Sequence, residues 1–304
     1  MKIVSVILLA IWALIAVKPC AASLFIMPPA HQVGPRQIVD HRWGWVVRYG
    51  PHGSVVQRTT DGGRTWYDRT PPGFTRMAPD LNDTDNFPSS FGLSLLAPRR
   101  CWIAYGSRVS KQVIVERTAD GGQHWRRETI SGGADSVILQ FLDTRHAFLL
   151  ALGGPAAGSM VKVFYSTCDG GKHWLQGGSP DRSGTSRTQY IGSYCPTGMA
   201  FRNPREGWIT GTDHSDLGVP LVRTLDGGHT WAVQEIMLPD SYGECYANTY
   251  QPRFSGKTRR NGAFTADVRG SKIGRRHDSV NFLTHDGGRT WNAPALRNSQ
   301  QERL

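Results

Sequence analysis

Five aspartates share one repeated setting. Asp61, Asp120, Asp169, Asp226 and Asp286 each follow a threonine two residues back and precede two glycines, and five residues on stand Trp66, Trp125, Trp174, Trp231 and Trp291. Three chemistries use such carboxylates: general acid or base work, calcium ligation, and the closing of a tight turn by accepting backbone N–H groups. The first two need carboxylates to converge, whereas these are separated by 59, 49, 57 and 60 residues. A turn needs only its own neighbours. The glycine pair admits positive φ, and the tryptophan brings a large apolar face to the outgoing strand. The motif therefore reads as a structural clasp.

Two other groups have chemical potential. Asp80, Asp83 and Asp85 crowd the stretch DLNDTDN and are weak calcium candidates, with no glycine or terminal glutamate at the spacing of an EF-hand loop. His124, His173, His229 and His285 fall one per repeat, too far apart to share zinc. No cofactor is expected. An arginine also recurs three residues before each aromatic strand mark: Arg42, Arg99, Arg145, Arg205 and Arg260. Arginine favours bidentate carboxylate or phosphate contacts, so these five are candidate partner-binding residues on one face. The bland alternative is that each meets a turn carbonyl, meets a nearby aspartate, or stays solvated.

The elements that must position these residues follow from periodicity. Each repeat has an aromatic mark, an extended stretch such as WVVRYG, a loop, a second strand such as SVVQRTT, the aspartate turn, and a last strand. That order makes an antiparallel meander, and no mature stretch shows helical periodicity. A motif at this period indicates repeat architecture, and four-stranded sheets that cannot each cover both faces are best satisfied by a ring. The expected fold is all-β, a single β-propeller of about five four-stranded blades near 36–70, 90–130, 137–178, 196–236 and 250–295. Six blades result if one has lost its motif.

The chain has 304 residues, 39% of them hydrophobic, with 35 glycines and 10 tryptophans, which suits turns and aromatic packing. Residues 1–22 carry Lys2, an apolar run from Ile3 to Val17 and a small-residue end at Ala21-Ala22, the layout of a signal peptide. The propeller domain is then 23–304 and the protein is exported, periplasmic or secreted. Export permits disulfides, and the recurrence of Cys195 and Cys245 upstream of successive strand patterns pairs those two. The net charge of +11 falls to +9 without Lys2 and Lys18. Such a surface suits an acidic protein or anionic lipid, and export argues against nucleic acid.

The five boxes resemble the Asp-box, or BNR repeat, of sialidase-like propellers. The doubled glycine and the GW strand mark resemble most the photosystem II stability and assembly factor type, which shares its pattern with sortilin-like and xyloglucan-cleaving propellers. The resemblance implies that the box lies between the third and fourth strands of a blade, at the rim, so that the five aspartates and five tryptophans are structural. It also implies a non-catalytic, assembly-factor or scaffold protein, monomeric, that binds a protein partner with an acidic surface, with a membrane-surface complex as one setting. The alternative is a carbohydrate-active propeller, either a sialidase-like glycosidase or a glycan-binding module. A sialidase would need an arginine triad with a tyrosine–glutamate pair, and the nearest early-motif match, FRNP at 201–204, stands between the third and fourth boxes rather than before the first. A xyloglucanase would need two carboxylates across a cleft between two propellers, and this length holds one.

Overall fold

A computed structural model describes residues 33–38, 41–50, 53–74, 91–107, 110–156, 159–178, 194–213, 219–236, 238, 244–270 and 277–293. These form twenty strands and no α-helix among the described residues. Unit one comprises β1 Val33–Ile38, β2 Gly44–Gly50, β3 Gly53–Thr59 and β4 Tyr67–Asp68. Unit two comprises β5 Gly92–Ala97, β6 Arg100–Ser107, β7 Gln112–Thr118 and β8 Arg126–Ser131. Unit three comprises β9 Ser136–Phe141, β10 Ala147–Ala156, β11 Ser159–Thr167 and β12 Leu175–Gln176. Each of these three is a four-stranded antiparallel sheet in chain order.

Unit four holds β13 Tyr194–Phe201, β14 Gly207–Asp213, β15 Leu221–Thr224 and β16 Ala232–Val233. Unit five holds β17 Cys245–Thr249, β18 Arg253–Ser255, β19 Asn261–Gly270 and β20 His277–Thr284. Both β17 and β18 lie along β19, so they are one inner strand broken near Pro252, which lacks a ladder donor. Unit five thus begins before residue 250, earlier than expected. Its outer strand is reduced to the bridge Leu283–Asn292. Thr212 pairs with Asn248, which joins units four and five into one eight-stranded sheet.

Why the sheets stack as blades is legible in β6 and β10. On β6, Cys101, Ile103 and Tyr105 join an apolar cluster with Trp45, Val47 and Val56 of unit one, while Trp102 and Ala104 join another with Val137 and Leu139 of unit three. On β10, Ala147, Leu149 and Ala151 turn toward unit two, and Phe148, Leu150 and Leu152 toward unit four. A period of two with both sides apolar forces burial of both sheet faces. A fourth cluster seals units four and five around Trp208, Phe264 and Trp291. Consecutive four-stranded meanders packed face to face, inner strand beside inner strand, make the fold an all-β propeller.

The same stacking removes the expected disulfide. Cys195 and Cys245 are not joined. Both lie within strands rather than upstream of them. Cys195 opposes Thr212 on one edge of β14, and Thr212 opposes Asn248 of β17 on the other. A whole strand therefore separates β13 from β17, about 9–10 Å, and Cys245 lies three residues further along β17 than Asn248, so the pair is beyond the 4.4–6.8 Å that a disulfide tolerates between Cα atoms.

Candidate functional site

The turn carrying each aspartate repeats with one hydrogen-bond pattern. The Thr59 hydroxyl donates to Asp61 Oδ1 at 2.8 Å and accepts from the Gly63 amide at 2.8 Å, while the Thr65 amide donates to Asp61. Thr118, Thr167, Thr224 and Thr284 do the same for Asp120, Asp169, Asp226 and Asp286. All ten box glycines have positive φ. The tryptophan that follows wedges against the preceding unit: Trp125 lies edge-on to Trp45, Trp231 to Phe164, and Trp291 to Trp208. In units two and three a histidine replaces the last threonine, and His124 Nδ1 and His173 Nδ1 sit 2.7 and 2.6 Å from Asp120 and Asp169.

Asp61, Asp120, Asp169 and Asp286 are held well below the usual carboxylate range, and Asp226 is lowered too. For Asp61 the Thr65 hydroxyl is the largest cause, and for Asp120 the His124 amide. At Asp169, Asp226 and Asp286 burial pushes upward, and the turn's hydrogen bonds overcome it. A depressed native pKa contributes stability that is complete above the unfolded value, about 3.9, and is lost as pH falls toward the native one. Urea midpoints are therefore expected to be flat from pH 7 to about pH 5 and to fall steeply between pH 4 and pH 2. A midpoint that changes as much from pH 7 to 5 as from pH 4 to 2 would contradict the assignment.

The recurrent arginine sits opposite the box. The first box glycine in each unit donates its N–H to the arginine carbonyl: Gly62 to Arg42, Gly121 to Arg99, Gly170 to Arg145, Gly227 to Arg205 and Gly287 to Arg260, at 2.8 to 2.9 Å. This fixes the turn between first and second strands beside the box on one rim. The link is main-chain, so it explains the position and leaves the side chain unassigned. All five side chains are exposed. Arg145 Nε reaches the Cys168 carbonyl at 3.3 Å, the turn-carbonyl contact considered above.

Between units two and three this rim opens into a cleft of about 590 Å³. Arg100, Arg117, Arg126 and Lys172 bring four permanent positive charges to it, with His124 alongside and Asp120 and Asp169 as its carboxylates. Among the described residues no carboxylate pairs with Arg100, Arg126 or Lys172, while Arg117 meets Glu128 at 3.4 Å. Trp102 closes the floor, its indole N–H donating to the Gly170 carbonyl. Both carboxylates are ionised and engaged by their own turns, so among the described residues the cleft offers anion-binding groups and no carboxylic acid donor. A smaller cleft of about 260 Å³ follows between units three and four, where His146, His173, His229 and the exposed Cys168 gather without forming a metal-binding group among the described residues.

The candidates thus sort by position. The structure brings Asp120, Asp169 and the rim arginines to one face and leaves the five boxes one per unit. Asp80, Asp83 and Asp85, and residues 1–22, lie outside the described residues. Sequence reasoning missed Arg117, Arg126 and Lys172. The signal was available in the charges three residues before, three after and six after a box aspartate, but only the seam between two units shows that they share a cleft.

Neither protein-family models nor curated proteins gave a match to the chain. Similar solved structures include a GH74 xyloglucanase from Xanthomonas campestris, 13% identical with a TM-score of 0.49 over 84% of this chain and 36% of that one. A Hadza microbial sialidase is 14% identical with a TM-score of 0.45, over 82% and 54%. The six-bladed propeller lectin of Aleuria aurantia is 9% identical with a TM-score of 0.47, over 90% and 80%. The chain therefore spans about a third of the xyloglucanase and about half of the sialidase. Two of these three are enzymes, and the expectation of a chain without catalytic activity finds no support among them.

Proposed function

We propose that this chain is a carbohydrate-directed propeller that binds an acidic glycan through the seam between its second and third units. The observation that carries the reading is the cleft in which Arg100, Arg126 and Lys172 have no carboxylate partner among the described residues. Repeated carboxylate or sulfate groups suit arginines arrayed along a rim, because each guanidinium can take two oxygens at once. A concave seam admits a strand-like polymer better than a broad, flat protein surface. The assembly-factor resemblance makes an acidic protein surface the competing ligand, with the five exposed rim arginines as its support. Export, read from residues 1–22, would put the chain where acidic polysaccharides occur.

Retention on immobilised polygalacturonate, compared with a neutral β-glucan at low salt, tests the reading. The wild type should be retained by the acidic polymer alone and released as salt rises toward 0.5 M. The double variant Arg126→Glu with Lys172→Glu should lose about tenfold or more in affinity, with the thermal midpoint within about 2 °C. Equal retention on both polymers, or undiminished retention of the variant, would remove the proposal.

A further inference from the structure

We propose a second anion site, at the edge of unit one facing unit two, in which Arg58 and Arg69, with Arg99 beside them, receive a tetrahedral oxyanion, a sulfate or phosphate ester. The inference starts from the internal repeat. In unit two Arg117 stands three residues before the box aspartate and meets Glu128, eight residues after it, across the β7–β8 pair. In unit one the equivalent positions are Arg58 and Arg69. The carboxylate that neutralises the second-unit arginine is thus replaced by another guanidinium.

Arg58 is held rather than free to swing away. Its Nε donates to the Pro98 carbonyl at 3.1 Å, and the guanidinium lies over Trp43 at 4.9 Å and Trp45 at 5.9 Å from the ring centres. A Cβ on Gly121 would stand 2.8 Å from its Nη1, so the second-unit box leaves the space that the guanidinium occupies. Burial, then Arg69, then Arg99 lower the Arg58 pKa, so two like charges act on the Arg58 guanidinium. No carboxylate pairs with any of the three among the described residues. Arg58, Arg69, Thr60 and Tyr67 line a cavity of about 190 Å³ there.

Converging like charges in a half-buried place is unfavourable unless an anion completes it. Guanidiniums approaching from more than one direction favour a three-dimensional oxyanion with three acceptor oxygens over a planar carboxylate, which one bidentate arginine already satisfies. Arg99 stands beside this cavity rather than in its lining, its carbonyl held by the Gly121 amide next to the Arg58 guanidinium, while its neighbour Arg100 lines the seam with unit three. The site stands on its own residues and does not depend on the glycan reading of that seam.

The test is calorimetric titration of the full chain with glucose 6-sulfate, glucose 6-phosphate and glucuronate at low salt, for the wild type, Arg69→Glu and the Arg126→Glu/Lys172→Glu variant. With the seam disabled by Arg126→Glu/Lys172→Glu, the chain should bind at least one of the two esters at a single site and glucuronate at least severalfold more weakly. An ester that binds alone identifies which source supplies the oxyanion. Arg69→Glu recreates the second-unit ion pair, so it should lose about tenfold or more in ester affinity while its thermal midpoint stays level or rises. The Arg126→Glu/Lys172→Glu variant should keep ester binding, which separates this site from polygalacturonate retention. Ester binding unchanged in Arg69→Glu, glucuronate binding equal to the esters in the seam-disabled chain, or no ester binding in the wild type would overturn the site.

Discussion

Gly228→Ala is expected to destabilise the protein by about 2–5 kcal/mol, combining a left-handed backbone cost with overpacking. Gly228 holds a φ of +92°, and a Cβ there would fall 2.0 Å from Cε1 of Phe164. Phe164 has nowhere to go: it is 1% exposed, stacked with Phe148 and Phe201 and edge-on to Trp231. The backbone cannot retreat either, because the Gly228 amide donates to the Thr224 hydroxyl and its carbonyl accepts from the Gly178 amide. Gly256 supplies the control. Its φ is +76°, yet a Cβ would meet nothing within 4 Å, so alanine there should cost only the backbone share, about 1 kcal/mol. Urea midpoints of the two variants decide the matter, and equal losses would refute the packing half of the account.

Trp208→Ala should be as damaging, at about 3–5 kcal/mol for a buried tryptophan plus about 1 kcal/mol for its stranded partner. Trp208 is fully buried on β14, tilted on Phe254 at 4.9 Å and edge-on to Trp291 at 6.3 Å. Its indole N–H donates to Gln234 Oε1, and Gln234 Nε2 in turn holds the Gly288 and Arg289 carbonyls of the fifth box. Arg223 lies over the same ring at 5.4 Å and leans toward Glu206. One side chain therefore connects the apolar seal, the fifth box and an ion pair. Trp208→Phe keeps part of the packing and loses the N–H, so it should fall between wild type and alanine. A loss below about 1 kcal/mol for alanine would show that units four and five are held by something else.

The strands and boxes were legible because their causes are local. The threonine two residues before each aspartate, the two glycines and the tryptophan all act within one turn, and a period of two marks the strands around them. The reason for the second glycine was only half legible. Positive φ could be read from the doublet, but the closeness of Gly228 to Phe164 and of Gly288 to Trp208 belongs to the neighbouring unit. The disulfide pairing failed for the same kind of reason: Cys195 and Cys245 occupy similar places in successive repeats, and similarity of place in a stack puts residues a blade apart. The basic seam escaped notice because Arg126 and Lys172 come from different units and neither position repeats in every one. The recurrent arginine was seen, and its side chain was given a meaning, but the contact common to all five units is made by its carbonyl.

That carbonyl has a consequence for what can be altered. The bond from each box glycine to residues 42, 99, 145, 205 and 260 is indifferent to the side chain those residues carry. Five outward-pointing positions on a stiff frame can then be rewritten without disturbing the clasps beneath them. A chain built this way keeps its durability in the threonine, aspartate, glycine and tryptophan of each turn and its selectivity in the residue across from them. Any new charge, ring or amide introduced at those five places would be presented around one rim by a scaffold that does not register the change.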